Sequence, residues 1–306
     1  MPKAPAKPRK LLQNPAILVF AALGIATLAV VVVGQYVSAP PATCPKTTTQ
    51  GPTRCCAPGQ SEESGTCVGT PQSCPPKFTA IDKSCVTQPS RILIPPGTVR
   101  IGPGDWEAQR QVAPRDITIT SPFLIDSHEV TFHRYAECVE ANACSKPSIN
   151  GEPGQPVRGI NYHQAIAFCT WASGELPTED MWTMAAAGTE SRRYPWGDSG
   201  AVCRRANWGR TDGPCSKYSS NNSGATDEVG PDWAGITDLD QTPEGVIGLA
   251  GGVSEWVKSA NPGMIKGGSF RTNRASLLRT WWFEQRDPTT GYDDVGLRCA
   301  YIIPNQ

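Results

Sequence analysis

The stretch NYHQAIAFCTWASGELPTEDMWTMAAAG, residues 161–188, predicts two short helices in succession. Asn161 and Thr178 are residue types that cap a helix by accepting hydrogen bonds from its first turn, and apolar residues at helical spacing follow each of them. A glycine ends each run, as is common at helix C-termini. Residues 189–245 then lose this periodicity and are rich in Gly, Asp and Asn. We therefore expect few helices and much irregular backbone.

Short strands are predicted on either side of this stretch. Residues 91–102, RILIPPGTVRIG, alternate apolar residues around a Pro-Gly turn and are interpreted as a hairpin-like pair of strands. Residues 117–131 are interpreted as a strand that leads into a helix, and further short strands are expected at 264–271 and 295–303. From residue 91 onward the sequence therefore has the pattern of short apolar segments that is typical of a globular domain.

The overall charge excludes one class of partner. The chain has 28 basic and 28 acidic residues, so it lacks the basic field that attracts nucleic acid. The sequence also has no G-x-S-x-G, P-loop, H-E-x-x-H or G-x-G-x-x-G motif. We interpret each of His128 and His163 as a capping or surface residue and not as a catalytic base.

The N-terminal part predicts a membrane anchor. Residues 1–14 are basic, and residues 15–34, PAILVFAALGIATLAVVVVG, carry no charge. A helix of that length spans about 30 Å, the thickness of the hydrocarbon layer. The alternative is a cleaved signal peptide with small residues at 37–39, but the apolar run is longer than a typical signal sequence. We expect an uncleaved single-pass anchor in the cell membrane. Its basic arm would be cytoplasmic, and the rest of the chain would lie in the periplasm or at the cell surface.

The positions and number of the cysteines also favour a chain that is exported from the cytoplasm. All twelve follow the apolar segment, and an even number in an exported chain favours disulfides over free thiols or a metal cluster. The Pro/Thr-rich residues 35–90 are interpreted as a disulfide-stapled stalk, because they are too short and polar to bury a core. The sequence leaves open how its six cysteines pair, namely Cys44, Cys55, Cys56, Cys67, Cys74 and Cys85.

Several segments follow one another in a recognisable order. They are FLIDSHEVTFHRYAECV (123–139), the helical stretch quoted above, RRYPWGD (192–198), RANW (205–208), GVIGLAGGVSEWV (245–257), IKGGSF (265–270) and VGLRCA (295–300). In this order the motifs resemble the formylglycine-generating enzyme family, whose members carry a sulfatase-modifying factor domain. The resemblance covers about residues 91–303. It implies that residues 91–306 form one α+β domain with a complex C-type-lectin-like fold.

The resemblance also implies disulfides. In the family, the cysteine of the AFC motif pairs with the cysteine of the last motif. The expected bridges in this chain are Cys169–Cys299 and, as local bridges between the cysteines that remain, Cys138–Cys144 and Cys203–Cys215.

The copper site of the family has no counterpart here. In oxidase members, two cysteines that bind copper(I) follow the GGS motif, and counting from Ser269 places them at Thr272 and Leu277. A hydroxyl and a methyl group cannot replace soft thiolates. The resemblance therefore implies a member without this chemistry, and copper is not expected.

The same segment lines the substrate groove in the family. The expected ligand-binding residues are therefore Ser269, Arg271, Asn273, Arg274, Arg279 and Trp282. Arginine forks and aromatic faces suit an anion, a peptide or a glycan. The alternative is that the arginines are solvated and the tryptophans are core, and at least one of Trp281 and Trp282 is expected to be buried.

Calcium is the cofactor that the resemblance leaves possible, in a structural role. One site would use the carbonyls of Gly251 and Val253 and the carboxylate of Glu255, and a second would begin at Asn207 and the carbonyl of Trp208. Gly248 and Gly252 depart from the pattern, since they stand where the family has an upstream side-chain ligand and an asparagine. The alternative for Glu255 is a buried acid that is hydrogen-bonded to backbone.

The leading hypothesis is a non-catalytic binding or scaffold module that acts at the cell envelope through the former substrate groove. Its partners would be the membrane and a protein, peptide or glycan outside the cytoplasm. The alternative is an active oxidoreductase of the formylglycine-generating type, which oxidises a substrate cysteine with a non-standard metal site. A third possibility is a purely structural role.

Overall fold

The structure is a computed structural model of the 306-residue chain. It describes residues 49–50, 55–63, 66–74, 78–81, 83–87, 90–102, 112–203, 205–216 and 240–304. The basic arm and the apolar segment over residues 1–34 lie outside these ranges. Across the ranges that are described, no helix has both the length and the apolar character needed to cross a bilayer.

Three α-helices and one 3₁₀ helix lie in the described ranges. They are α1 (Phe132–Glu140), α2 (Tyr162–Trp171), α3 (Glu179–Ala187) and the 3₁₀ helix Ala275–Leu278. Asn161 begins α2 with a capping box, because its side chain accepts from the backbone N–H of Gln164 while the Gln164 side chain accepts from the backbone N–H of Asn161. Thr178 is the N-cap residue of α3, and its side chain accepts from the backbone N–H of Met181. The two helices predicted for residues 161–188 are therefore confirmed.

The strands are short and form several small sheets. Their bounds are β1 (Thr49–Gln50), β2 (Cys55–Cys56), β3 (Ser61–Glu63), β4 (Thr66–Val68), β5 (Phe78–Ile81), β6 (Ser84–Thr87), β7 (Arg91–Ile94), β8 (Gly97–Arg100), β9 (Asp116–Ile119), β10 (Phe123–Asp126), β11 (Ser254–Trp256), β12 (Met264–Lys266), β13 (Phe283–Gln285), β14 (Val295–Gly296) and β15 (Ala300–Ile302). One sheet is antiparallel in the order β15-β10-β7. Another has the order β13-β12-β11-β14, in which β11 and β14 run parallel.

The hairpin predicted for residues 91–102 is wrong. Two strands form there, but β7 pairs with β10, whereas β8 pairs with β9. The two residues between β7 and β8 are Pro95 and Pro96. A two-residue hairpin turn needs positive φ, which the proline ring excludes. The chain therefore leaves one sheet and enters another at this point.

The described part of residues 35–90 consists of small hairpins. Strand β3 pairs with β4, β5 pairs with β6, and a disulfide joins Cys74 to Cys85. The buried side chain of Gln60 donates to the carbonyls of Gly69 and Lys83, at 3.1 and 2.8 Å. The Cys74–Cys85 disulfide and the buried amide of Gln60 thus connect these hairpins, in a segment that has few apolar residues of its own.

The core of the domain has two large apolar clusters. Trp182 of α3 lies in the first cluster with residues of β8, β9 and β10, and Phe168 of α2 lies in the second with Trp256 of β11. The structure contains all three disulfides that the resemblance implied, namely Cys169–Cys299, Cys138–Cys144 and Cys203–Cys215. The first of these ties α2 to the residue before β15.

Candidate functional site

The GGS motif forms a tight turn directly after β12. Gly267 and Gly268 have φ of +90° and +71°, a region that L-residues with a Cβ rarely adopt. Strand β12 therefore ends at Lys266, and the strand predicted for residues 264–271 is shorter than expected. The turn brings the chain back on itself, so that the residues after Ser269 lie beside it.

Thr272 and Leu277, at the former copper positions, both have structural roles. The Thr272 hydroxyl accepts from the backbone N–H of Ser269 at 2.8 Å, which closes the turn. Leu277 is buried in the 3₁₀ helix. A Cβ on Gly268 would lie 3.0 Å from Thr272 Oγ1 and 3.3 Å from the Leu277 carbonyl oxygen, so the two positions lie close together. Neither offers sulfur for copper(I).

Ser269 does not reach the surface. It is 2% exposed, and its hydroxyl donates to Asp294 Oδ2 at 3.0 Å. The same hydroxyl accepts from the backbone N–H of Arg271 at 3.2 Å. Burial raises the pKa of Asp294 above its usual value. Ser269 is therefore part of the support for the turn, and the prediction that it contacts ligand is not supported by its position.

The arginines of this segment differ in their surroundings. Arg271 is ion-paired with Asp293, and its guanidinium stacks over the Phe270 ring. The guanidinium of Arg279 lies 5.5 Å from the ring centroid of Trp281. Stacked and paired arginines are held in one orientation, so these two have less freedom to follow a ligand.

Arg274 and Asn273 are exposed, as Arg271 is, but they do not share its ion pair. Arg274 precedes the 3₁₀ helix in an extended conformation. Among the residues that the structure describes, neither side chain has a hydrogen bond or an ion pair. An exposed guanidinium without a counter-ion can form a bidentate contact with a carboxylate or sulfate. This makes Arg274 the predicted ligand-binding residue that the geometry favours most.

The two tryptophans lie in the turn before β13 and differ in burial, which confirms that at least one of them is buried. Trp281 is 4% exposed and lies in the core cluster of Trp182, whereas Trp282 is only partly buried. Their ring centroids are 6.1 Å apart. Trp281 is therefore a core residue, and Trp282 is the one that can offer an aromatic face.

Arg298 and Glu255 form a buried ion pair. Arg298 Nε lies 2.8 Å from both carboxylate oxygens of Glu255, and Trp182 Nε1 donates to Glu255 Oε2 at 2.7 Å. Arg298 also donates to the backbone carbonyls of Ile247 and Gly248, at 2.9 and 3.1 Å. These contacts hold the motif at residues 245–257 against the last motif of the chain.

The predicted calcium ligands do not fit a calcium ion in this arrangement. The Glu255 carboxylate is neutralised by Arg298 instead of facing an open site. The side-chain oxygen of Asn207 accepts from Arg210 Nε at 3.1 Å, and its carbonyl accepts from the N–H of Gly252 at 2.8 Å. Without Glu255, the predicted set keeps only the carbonyls of Trp208, Gly251 and Val253, and it offers no carboxylate to a calcium ion.

The space beside Gly248 has been taken by another acid. A Cβ on Gly248 would lie 2.6 Å from Glu129 Oε2. Burial raises the pKa of Glu129 to about 8 and that of the nearby Asp240 to about 7. At the position where the family has an upstream side-chain ligand, this chain therefore packs a carboxylate from a different part of the sequence.

Sequence reasoning missed the acids that organise the turn. Asp293 and Asp294 hold Arg271 and Ser269, respectively. They lie more than twenty residues further along the chain, in the run GYDDVGL (291–297). Their only sequence signal is two adjacent acids directly before the motif VGLRCA, and that pattern does not identify their partners.

Comparison with known proteins shows which family this chain resembles. Residues 77–303 match the model of the sulfatase-modifying factor enzyme 1-like domain. The uncharacterized protein YfmG of Bacillus subtilis is 25% identical over 266 residues, which cover 70% of this chain and 54% of YfmG. The formylglycine-generating enzyme of Thermomonospora curvata is 29% identical over 157 residues, which cover 35% of this chain and 52% of the enzyme. The chain thus spans about half the length of these relatives.

Solved structures agree on the fold. PvdO from Pseudomonas aeruginosa superposes with a TM-score of 0.53 at 20% identity, over 69% of this chain and 94% of PvdO. The mixed α/β architecture is therefore that of the formylglycine-generating enzymes and their relatives. Because the family model matches most of the chain, the protein belongs to the sulfatase-modifying factor enzyme 1-like domain family.

Proposed function

We propose that this chain is a binding module that uses the former substrate groove, residues 269–282, and does not oxidise its ligand. The observation that carries the proposal is that both former copper positions, Thr272 and Leu277, now have structural roles. The Thr272 hydroxyl closes the turn and the Leu277 side chain is buried, so both positions have been taken over by the scaffold.

The groups that remain suit an anionic ligand. Arg274 is exposed without a counter-ion among the described residues, and Asn273 beside it offers an amide. Trp282 adds a partly exposed aromatic face. Guanidinium, amide and indole together can bind a protein, peptide or glycan that carries a carboxylate or sulfate.

The proposal also includes an anchor in the cell membrane. Residues 15–34 have the length and composition of a single-pass helix, and the basic arm before them favours a cytoplasmic N-terminus. The disulfides support the same arrangement, because such bonds persist in oxidising compartments outside the cytoplasm.

The absence of oxidation is tested with the full chain, copper(I), oxygen and a cysteine-containing sulfatase-type peptide. Mass spectrometry follows conversion of the peptide thiol to the aldehyde of formylglycine. The natural chain should give no conversion, and any conversion that depends on the protein overturns the proposal. A Thr272→Cys/Leu277→Cys variant tests the groove in parallel, since conversion by this variant alone would show that only the metal ligands were lost.

Ligand binding is tested separately with a fluorescent Glu-rich peptide. Fluorescence anisotropy should detect binding to the full chain, and Arg274→Ala should weaken it by about tenfold, the usual scale for one charge-assisted contact. Lys146→Ala is the matched control, because Lys146 is also an exposed cation but lies in another region of the sequence. Equal binding by the natural chain and Arg274→Ala would contradict the assignment of this groove.

A further inference from the structure

Strand β13 forms one edge of its sheet. The sheet order is β13-β12-β11-β14, so β13 (Phe283–Gln285) has a single neighbour among the strands that the structure describes. At the opposite edge, both residues of β14 are buried, and a Cβ on Gly296 would lie 2.5 Å from the carbonyl oxygen of Val157. The domain therefore covers one edge of this sheet, whereas the other edge is a strand whose last residue, Gln285, is exposed.

The register of β13 shows which of its backbone groups point away from the sheet. In an antiparallel pair, alternate residues direct their N–H and C=O groups toward the partner strand, and the residues between them direct these groups away. The N–H of Arg286 donates to the carbonyl of Gly263 at 2.8 Å, so Arg286 faces β12, and so does Glu284 two residues before it. Phe283 and Gln285 therefore direct their N–H and C=O groups outward. Within the part of the chain that the structure describes, these groups have no hydrogen-bond partner.

Free backbone groups at a sheet edge bind either water or another strand. The edge of β13 offers two donors and two acceptors, which belong to alternate residues. This pattern is complementary to the backbone of an extended polypeptide, which is how several peptide-binding domains recognise their ligands. A glycan lacks this regular alternation of N–H and C=O groups.

Strand β13 directly follows the former substrate groove in the chain. The N–H of Leu277 donates to the carbonyl of Arg274 at 3.1 Å, and the N–H of Trp282 donates to the carbonyl of Arg279 at 2.9 Å. Residues 274–282 therefore form two consecutive turns, which connect the exposed Arg274 to the open edge through a compact segment.

We propose that the ligand of the former substrate groove is an acidic polypeptide that binds in an extended conformation, as an additional strand beside β13. This inference rests on the proposed function, since it takes the groove as the binding site. The peptide backbone pairs with Phe283 and Gln285, and an acidic side chain of the peptide contacts Arg274. Glu284 is paired with Arg286 at 3.0 Å, so the strand itself has no net charge that would repel an anionic ligand.

The first test uses fluorescent peptides of alternating glutamate and threonine with the full chain. In an added strand, every second residue directs its N–H toward β13. One peptide is therefore methylated on the backbone nitrogens of its glutamates, and another on those of its threonines. Fluorescence anisotropy should show that one of them binds at least tenfold more weakly than the unmethylated peptide, while the other binds with similar affinity. Equal effects of the two methylation patterns, whether both are harmless or both are harmful, would overturn the proposal.

Two substitutions at one position test the same edge from the side of the protein. Gln285→Pro removes the outward N–H and leaves the bonds to β12 in place, since an edge strand tolerates proline where the nitrogen faces away from the sheet. Gln285→Ala is the matched control, because it keeps that N–H and removes the side chain, which donates to the carbonyl of Pro262 at 2.6 Å. Gln285→Pro should weaken binding of the unmethylated peptide by about threefold to tenfold, the scale of one hydrogen bond, and Gln285→Ala should leave it unchanged. Equal binding by the two variants would contradict the proposal, and if circular dichroism shows that Gln285→Pro does not fold, the methylated peptides decide the outcome.

Failure of this inference can be distinguished from failure of the proposed function. If Arg274→Ala weakens binding of the peptide but the methylation pattern has no effect, the groove binds an anion and the added strand is overturned. The same conclusion follows if a sulfated oligosaccharide binds through Arg274 and the peptide does not bind. If neither ligand binds, both proposals are overturned.

Discussion

Both carboxylate oxygens of Glu255 lie 2.8 Å from Nε of Arg298, and both side chains are buried almost completely. Trp182 of α3 donates to the same carboxylate, so the pair joins three parts of the domain. The charge of Glu255 is thus balanced from within the chain. A buried pair of this kind is costly to form, but removing one partner costs more, because the other charge is then left unbalanced.

Arg298→Met should therefore be among the most destabilising single substitutions in the domain. It leaves Glu255 charged and buried, and the expected loss in free energy of unfolding is about 3–5 kcal/mol. Urea denaturation followed by tryptophan fluorescence measures it. Adding Glu255→Gln should recover part of the loss, since the uncompensated charge is then gone.

Arg100→Met is the control for this substitution. It breaks an exposed ion pair with Asp116 and should cost less than about 1 kcal/mol. If Arg298→Met costs no more than Arg100→Met, the buried pair does not have the role assigned to it.

Gly248→Ala should test the packing of Glu129 against the loop. Gly248 has φ of +75°, and an added Cβ would lie 2.6 Å from Glu129 Oε2. Backbone strain costs about 1–2 kcal/mol and crowding adds about 1–3 kcal/mol, so a total near 3 kcal/mol is expected. Thermal and urea unfolding of the purified chain measure it.

Gly197→Ala separates the two contributions. Gly197 has φ of +122°, and an added Cβ would meet nothing within 4 Å, so only backbone strain applies. Because φ of +122° is at least as strained for alanine as φ of +75°, any excess cost of Gly248→Ala over Gly197→Ala is a lower bound on the crowding with Glu129. A cost for Gly248→Ala below about 1 kcal/mol would mean that the Glu129 carboxylate moves aside freely.

The helices could be predicted from the sequence because their signals are local. Asn161 and Thr178 cap the helices that follow them, and both the caps and the apolar spacing lie within one helical turn. The pairing of β7 and β8 was mispredicted, because the alternating pattern of a strand does not identify its partner. The prolines between them were the available counter-signal.

The site was harder to predict than the helices. The loss of the copper ligands could be read from the spacing after Ser269, since that spacing is a property of the chain alone. The burial of Ser269 could not be read from the spacing, because it depends on Asp294, which is 25 residues away in sequence. The same holds for Glu255, whose partner Arg298 is 43 residues away. Contacts between distant segments decide which polar residues face a ligand.

The disulfides should differ in their contribution to stability. Cys169 and Cys299 are 130 residues apart, whereas Cys138 and Cys144 are 6 apart. The chain-entropy relation gives about 5 kcal/mol for the long loop and about 2 kcal/mol for the short one. Replacing each pair by alanine and measuring urea unfolding should reproduce this order. A larger loss for the short bridge would show that native packing, and not loop closure, dominates.

Lys266 should make stability depend on pH in the alkaline range. Its side chain is 1% exposed, and its ammonium group donates to the carbonyl of Trp282 at 3.2 Å. Burial lowers the pKa of Lys266 to about 8, and the charges of Glu179, Asp180 and Arg115 modify this value in smaller, opposing ways. Between that pKa and the ordinary lysine value near 10.5, the unfolded chain binds a proton that the folded chain does not. The free energy of unfolding should therefore rise with pH in this window.

Comparing the natural chain with Lys266→Met isolates this contribution, because the other groups that titrate near pH 10 are common to both proteins. The difference in free energy of unfolding, natural chain minus variant, should increase by about 3 kcal/mol between pH 7 and pH 10.5, since each pKa unit corresponds to about 1.4 kcal/mol. Lys258→Met is the matched control, because the Lys258 side chain is 58% exposed and should show no such change. A difference that stays constant over this range would mean that Lys266 remains charged when buried, and that the Trp282 carbonyl and the nearby carboxylates fully offset its loss of hydration.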